Sequence, residues 1–452
     1  VSKAGGMEKI TKFPAISADS LTATWTFDEF DSAWELFFGI GKPVHALTQL
    51  AYPTLSDGQA KAKFVTAVKK KDWTVLKALA TQWNTAYNFI DTKAIDATTN
   101  PNLLIVAGAY TIKSSVPGKS MTLVANPLYK SGPKPTIKTI QLVTIPDSTA
   151  MGQALANGEV DIIAPQATAA LVNSLKAQPN TKVYGFGAAT YEHLDVDLKG
   201  PAWAGMSAAK ANDLRRAFLL TVPRQEIVDK LVKPINSKAV VVNSSFTLPG
   251  QTGYNDIVKG SGVSKFTAGT QATRTAAALA LVKKHYPAAA DGSKSVAIKI
   301  LWGQPSNTRR AAEAALIKAE LAKAGFDADT TGTTGWSANL DDNKFDAAFF
   351  AWCPTSTSQT GTNANFMSDG GNNFIGYNNA LMDSTLKSLE QKLTPAQVTA
   401  KYLAAEKLLI SDAVTLPIFQ HPAATAVNSA LKNVKPAPLS PTLVWNFWEW
   451  KY

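Results

Sequence analysis

The sequence predicts an α/β protein of more than one lobe, and three observations carry that prediction. At 452 residues and 48.1 kDa the chain exceeds what one hydrophobic core normally supports. From about Thr190 onward, strand and helix patterns alternate regularly. Within that stretch, Val296–Trp352 reads strand–helix–strand, which implies a parallel pair joined by a helical crossover.

Ahead of Thr190 the pattern is more mixed. Leu21, Ala23, Trp25 and Phe27 alternate with Thr22, Thr24 and Thr26, which predicts a half-buried strand. Ser56–Asn88 carries two helical stretches, the second with Trp73, Leu76, Leu79 and Trp83 at helical spacing. Strands are expected at Ser120–Ala125, Thr136–Ile145 and Val160–Ala164, with a helix at Ser148–Asn157 that Gly158 ends. After Thr190, helices are expected at Ala208–Leu220, Arg224–Leu231, Gln271–His285, Asn307–Ala324, Asn379–Lys392 and Pro395–Ser411. Strands are expected at Val296–Trp302, Phe345–Trp352 and Thr415–Gln420. A Thr/Ser/Asn/Gly-rich loop, Cys353–Asn373, follows the second of these, at the strand end where α/β proteins place ligands.

Composition narrows the function. Hydrophobic residues make up 45% and charged residues 17%, the balance of a folded soluble protein. No apolar run is long enough to span a membrane, and no secretory signal or lipid-attachment cysteine opens the sequence. The single cysteine, Cys353, excludes an internal disulfide and any cysteine-built metal cluster. The net charge is +11, yet only Lys69–Lys71 is a dense basic run, so a diffusely basic surface fits better than a nucleic-acid partner.

Catalysis leaves little trace. The four histidines, His45, His193, His285 and His421, stand far apart, and none has a second ligand at metal spacing. His285 ends a basic helix, where it suits the helix dipole. No phosphate-cradling glycine loop, nucleophile elbow or dinucleotide fingerprint is present. Aromatics are more suggestive: Trp302, Trp336, Trp352, Trp445, Trp448 and Trp450 fall at expected loop or strand ends. Each fits core packing taken singly, but as a group they suggest a binding cleft.

Several segments then fall in the order seen in the extracellular solute-binding proteins of peptide/nickel-type ABC importers. Gly108–Ser115 (GAYTIKSS), Met121–Tyr129 (MTLVANPLY) and Pro133–Pro146 resemble consecutive family segments. Ala154–Ile163 (ALANGEVDII) resembles the family's L-x-x-G-E-V-D-I, and Asp213–Val228 (DLRRAFLLTVPRQEIV) its paired-helix segment, with Pro223 where the family has aspartate. Phe345–Trp352, Leu416–Gln420 and Val444–Trp450 keep the family order.

The resemblance implies a two-lobe periplasmic-binding-protein-like fold of type II, cluster C, hinged on two crossover strands. Residues 1–190 and 422–452 would form lobe I and residues 191–421 lobe II. The family's first lobe also has further residues, including its opening strands, ahead of the strand matched by Leu21–Phe27. The implied function is substrate binding for an ABC importer, with a peptide or peptide-like solute held by domain closure and no enzymatic step. Two alternatives stay open: a non-transport receptor or regulatory lipoprotein of the same fold, and a cell-wall-directed hydrolase. The implied partners are the ligand and permease subunits, not nucleic acid, and no cofactor or metal is implied. The implied location is the periplasm or the outer face of the membrane, held there by a lipid anchor outside this chain.

Matched positions nominate the site. Trp352 falls where relatives stack on ligand, Trp336 resembles a tryptophan just upstream, and Tyr191 and His421 lie at the crossovers. His421 fits a hinge histidine with a satisfied hydrogen bond as well as it fits a ligand contact. Ser306, Asn307 and Arg309, with Arg310 beside it, open a helix whose first turn suits polar ligand atoms or a capped surface equally. Oligopeptide-binding relatives carry, three residues after the matching tryptophan, an aspartate that pairs with the peptide's amino group; here that position is Thr355. A buried, unpaired ammonium is costly, so this departure opens modified peptides, sugar-containing compounds and neutral solutes as ligands.

Overall fold

Two long strands organise the molecule. In the computed structural model, which describes residues 9–19, 21–37, 41–87, 93–288, 295–303 and 305–452, strand β8 (Thr181–Val196) runs antiparallel to β12 (Thr415–Asn428) along most of its length. They are neighbours in a six-stranded sheet of order β10-β9-β11-β8-β12-β7, completed by β7 (Ile162–Ile163), β9 (Val296–Leu301), β10 (Phe326–Asp329) and β11 (Ala347–Trp352). Strands β10, β9 and β11 are mutually parallel, as the strand–helix–strand reading requires, and β11 runs antiparallel to β8. The β8–β12 ladder is irregular between Pro417 and Phe419 and again between Gln420 and Pro422.

A second sheet of four antiparallel strands contains β3 (Ile95–Asp96), β4 (Tyr110–Val116), β5 (Ser120–Ala125) and β6 (Thr139–Val143). Beside it lie three helices, α1 (Val44–Ala51), α2 (Asp57–Lys70) and α3 (Trp73–Thr85). Ser56 and Gln59 form a capping box that starts α2, and Lys69 and Lys70 complement the dipole at its end. That placement accounts for the one dense lysine run. The four-stranded sheet shares a core with the chain's closing segment: Tyr110, Leu123 and Ile140 meet Val427, Val434 and Trp450.

Helices α4 (Ser148–Ala156) and α5 (Ala169–Ala177) flank β7. Around the larger sheet stand α6 (Ala208–Thr221), α7 (Tyr254–Gly260), α8 (Gln271–His285), α9 (Thr308–Lys323), α10 (Ala380–Lys387) and α11 (Pro395–Asp412). Phe218 of α6, Val282 of α8 and Ile317 of α9 pack on Ile298, Ile300 and Phe349 of the sheet. Each such side chain contributes about 1.5–3 kcal/mol by leaving water. Burial on both faces explains why β11 reads as the apolar run AAFFAW rather than as an alternation. His285 closes α8 against Asp213 of α6 at 2.9 Å, the helix-end role its position suggests.

Three expectations need correction. Residues 21–27 pair only at Ala23–Thr24, with β1 (Ala15–Ile16) opposite β2 (Ala23–Thr24), and Leu21 is 85% exposed. A two-stranded ribbon offers no second layer to bury an apolar face. Arg224–Leu231 is one α turn, Arg224–Ile227, that widens into a π turn over Val228–Val232. The loop Cys353–Asn373 follows β11 as expected, and its one helical turn, Asn363–Phe366, places Phe366 in a core with Met382, Leu386 and Leu409. The terminal tryptophans are not cleft residues as a group: Trp450 lies in the core of the smaller sheet, and Trp302 is 4% exposed against Phe349.

Candidate functional site

A buried charge cluster sits where β8 and β12 run side by side. Side chains on β8 alternate between the sheet's faces, so Glu192 points away from Tyr191 and His193. Its carboxylate is fully enclosed, 0% exposed. Arg310 reaches it with Nε at 3.0 Å, Arg309 with Nη2 at 3.3 Å and His421 of β12 with Nε2 at 2.6 Å. Asn307 puts both arginines in place: its side chain accepts from Arg310 N and caps α9, leaving both residues in the first turn. The Arg309 guanidinium also lies 5.0 Å from the Phe419 ring centroid.

Burial alone would push the Glu192 carboxyl up, but Arg309, His421 and Arg310 outweigh it and hold the group ionised, far below its ordinary range. Burial, together with Arg309, lowers the His421 imidazole despite Glu192, which keeps the ring neutral. One helical turn past Arg309 stands Glu313, also 0% exposed. Its Oε1 is 3.4 Å from Arg309 Nη1, yet neither oxygen makes a hydrogen bond. Burial, reinforced by Glu192, pushes this carboxyl up to about 8, so Glu313 is mostly protonated at neutral pH.

Gln166, between β7 and α5, closes the cluster from the other side. Its Oε1 accepts from Asn307 Nδ2 at 3.3 Å, and with the amide turned over its oxygen would instead face Arg309 Nη2 and Nε at 3.1 and 3.2 Å. This links the head of α9 to the segment leading into α5.

An aromatic ladder covers the opposite face of β8. His193 stacks on Trp352 at 5.7 Å and 13°, and Trp352 stacks on Phe374 at 6.2 Å and 12°. Phe350 meets His193, Trp352 and Trp336 edge-on or tilted, at 4.3, 5.1 and 5.5 Å. Trp336 rests directly on Gly303: a Cβ there would lie 1.9 Å from its Cδ1. Arg310 places its guanidinium 5.9 Å from the Trp336 ring, so the charge cluster and the aromatic ladder meet at that pair.

The nominated residues thus divide. Trp336 and Trp352 share the ladder, both half-buried, while Arg309 and His421 share Glu192. Tyr191 is 5% exposed, packs on Val242 and Leu248 and donates to Ser245 O at 3.3 Å, which makes it a support for Trp352, its cross-strand neighbour. Asn307 is the cap and Ser306 lies outside it, exposed; Thr355 is exposed three residues past Trp352. Sequence reasoning missed Glu192, Gln166, His193 and Phe374. For Glu192 and His193 the signal was the polar alternation in YEHLDV, which marks a strand carrying charge on a buried face.

Nothing here resembles an assembled nucleophile. His193 Nε2 pairs with Asp195 Oδ2 at 3.1 Å, and its Nδ1 has no hydrogen-bond partner. Among the described residues no three metal-ligating side chains converge.

The model of the bacterial extracellular solute-binding proteins, family 5, matches residues 24–374. The chain belongs to that family. It is a family of extracellular binding proteins. The oligopeptide-binding protein OppA of Mycobacterium tuberculosis is 25% identical over 279 residues, 57% of this chain and 46% of the relative. The chain therefore spans about half the length of the curated relatives it matches. Among solved structures, the periplasmic EDTA-binding protein EppA aligns over 98% of this chain and 76% of its own, with TM-score 0.74 and 20% identity. AppA from Bacillus subtilis, in complex with a nonapeptide, aligns over 99% and 79%, with TM-score 0.70 and 17% identity. DppA from Helicobacter pylori, in complex with the peptide STSA, aligns over 97% and 74%, with TM-score 0.68 and 18% identity. These likenesses show the family's two-lobe α/β fold. Among the described residues no helix is long and apolar enough to cross a membrane.

Proposed function

We propose that this family 5 protein is the substrate-binding component of an ABC importer and that it holds a peptide or peptide-like solute between two lobes without altering it. The observation that carries this reading is the contact of Gln166 with Asn307 at the head of α9, beside Arg309. It joins the segment before α5 to the head of α9 next to an aromatic ladder, the arrangement expected of two bodies closing on a ligand. Lobe I would comprise residues 1–190 and 422–452 and lobe II residues 191–421, with the ladder irregularity between Gln420 and Pro422 at the hinge. Trp352 and Trp336 would stack on apolar ligand parts. Arg309, Asn307 and His421 would hold the wall behind them, with Tyr191 as a support and Ser306 and Thr355 at the rim.

Peptides held by AppA and DppA, which share the fold, support a peptide as the first candidate. Permease subunits would read the closed shape, and a lipid anchor outside residues 1–452 would hold the protein at the outer face of the membrane. The test is tryptophan fluorescence and melting against a pool of random short peptides. A spectral shift with a rise in melting temperature supports the reading. A folded protein that answers to no peptide refutes the peptide assignment.

A further inference from the structure

The charges at the head of α9 do not balance. Arg309 and Arg310 bring two positive charges, and Glu192 returns one. Glu313 is largely protonated and His421 neutral, so neither supplies the difference. Arg309 is enclosed by Glu192, Gln166 and the Phe419 ring. Arg310 is not. Its Nε and Nη2 face Glu192 at 3.0 and 3.5 Å, while Nη1 makes no hydrogen bond to a described residue and is not among the atoms sealed from solvent. The uncompensated charge therefore reaches solvent at Arg310, beneath the half-buried Trp336 ring.

Two acids do lie near the ladder: Asp195 and Asp197 line a pocket with Phe350 and Phe374, one whose walls include neither Trp336 nor Arg310. Asp195 is 6% exposed; its Oδ2 faces His193 and its Oδ1 has no hydrogen-bond partner. Within Cys353–Asn373 the one acidic residue is the exposed Asp369, and the third position past Trp352 is Thr355. An ammonium placed at the Trp336 end of the ladder would meet the Arg310 guanidinium.

We infer that the cleft recognises an anionic group, a carboxylate, through Arg310 beside Trp336, rather than a ligand ammonium through an acidic side chain. The inference rests on the binding reading above and narrows its substrate class. A guanidinium with one nitrogen, Nη1, left without a hydrogen bond suits a carboxylate oxygen. A peptide's C-terminus and a polycarboxylate both present this chemistry.

The experiment compares four probes by calorimetry and tryptophan fluorescence: a random tripeptide pool, the same pool N-acetylated, the same pool C-amidated, and citrate. Expected is equal binding of the free and acetylated pools and at least about tenfold weaker binding of the amidated pool. Arg310→Gln should show the same loss for the free pool, and Arg310→Lys should recover part of it. Amidated peptides that bind as well as free ones, or acetylated peptides that lose binding, overturn the inference and leave the peptide reading intact. Citrate binding with no peptide response overturns the peptide reading and supports the anion site. Silence from all four probes overturns both.

Discussion

Glu192 Oε2 and His421 Nε2 lie 2.6 Å apart although 229 residues separate them, and the contact bridges β8 and β12 next to the irregular part of their ladder. Both guanidiniums of the α9 head approach the same carboxylate. Removing that one charge leaves two buried cations facing each other. Glu192→Gln should therefore cost about 3–5 kcal/mol in folding stability. Urea unfolding at pH 7 measures it, and a loss under about 1 kcal/mol would mean that water already screens the cluster.

Glu313 gives a pH signature of the opposite sense. The unfolded chain releases this proton near the ordinary glutamate value, whereas the folded protein holds it up to about 8. Folding therefore loses stability as pH rises between those values. Glu313→Gln removes that loss, so the variant should gain more over the native protein at pH 8 than at pH 5. Glu406, pushed up to about 7 by burial despite donors from Ser244 and Ser245, keeps part of the slope in the variant. Melting curves across pH 5–8 decide it; equal gains at both ends would contradict a protonated Glu313.

The periodic elements were legible in the sequence and the charge cluster was not. Gln271–His285 matches its helix residue for residue, and Pro395 with Thr394 and Gln397 announces α11. Those signals are local. Strand β8 escaped notice because GFGAATYEHLDV mixes glycine and small residues with charge and has no clean period. Glu192 looks like a solvent-facing residue until α9, more than a hundred positions later, brings its arginines down on it. The family pattern, not periodicity, nominated Trp352 and His421, and it passed over their partners Phe374 and Glu192.

Gly303 is set by the ring above it. Gly303→Ala would put a methyl 1.9 Å from Trp336 Cδ1, so the indole must leave its seat. Expected is a modest stability loss, about 1–3 kcal/mol, with a shifted tryptophan emission and loss of any ligand-induced change. Unaltered emission would show that Trp336 does not depend on this seat.

Gln166→Ala should loosen the link between the α5 segment and the head of α9. The half-buried side chain contributes little to either core, so melting should change by under about 1 kcal/mol equivalent. Ligand affinity should fall, and X-ray scattering should report a larger radius for the unliganded variant. Identical scattering and affinity would remove Gln166 from the closure mechanism.

Strands β8 and β12 have a kinetic consequence. Residues 415–428 supply the partner for both β8 and β7, so neither edge can be satisfied while β12 is missing. Closing so long a loop adds only slowly to the entropy cost but delays the search for the right pairing. Completion of both halves of the molecule is thereby deferred to one late event. Until then β8 stands as an open template, available to the wrong partner as readily as to the right one.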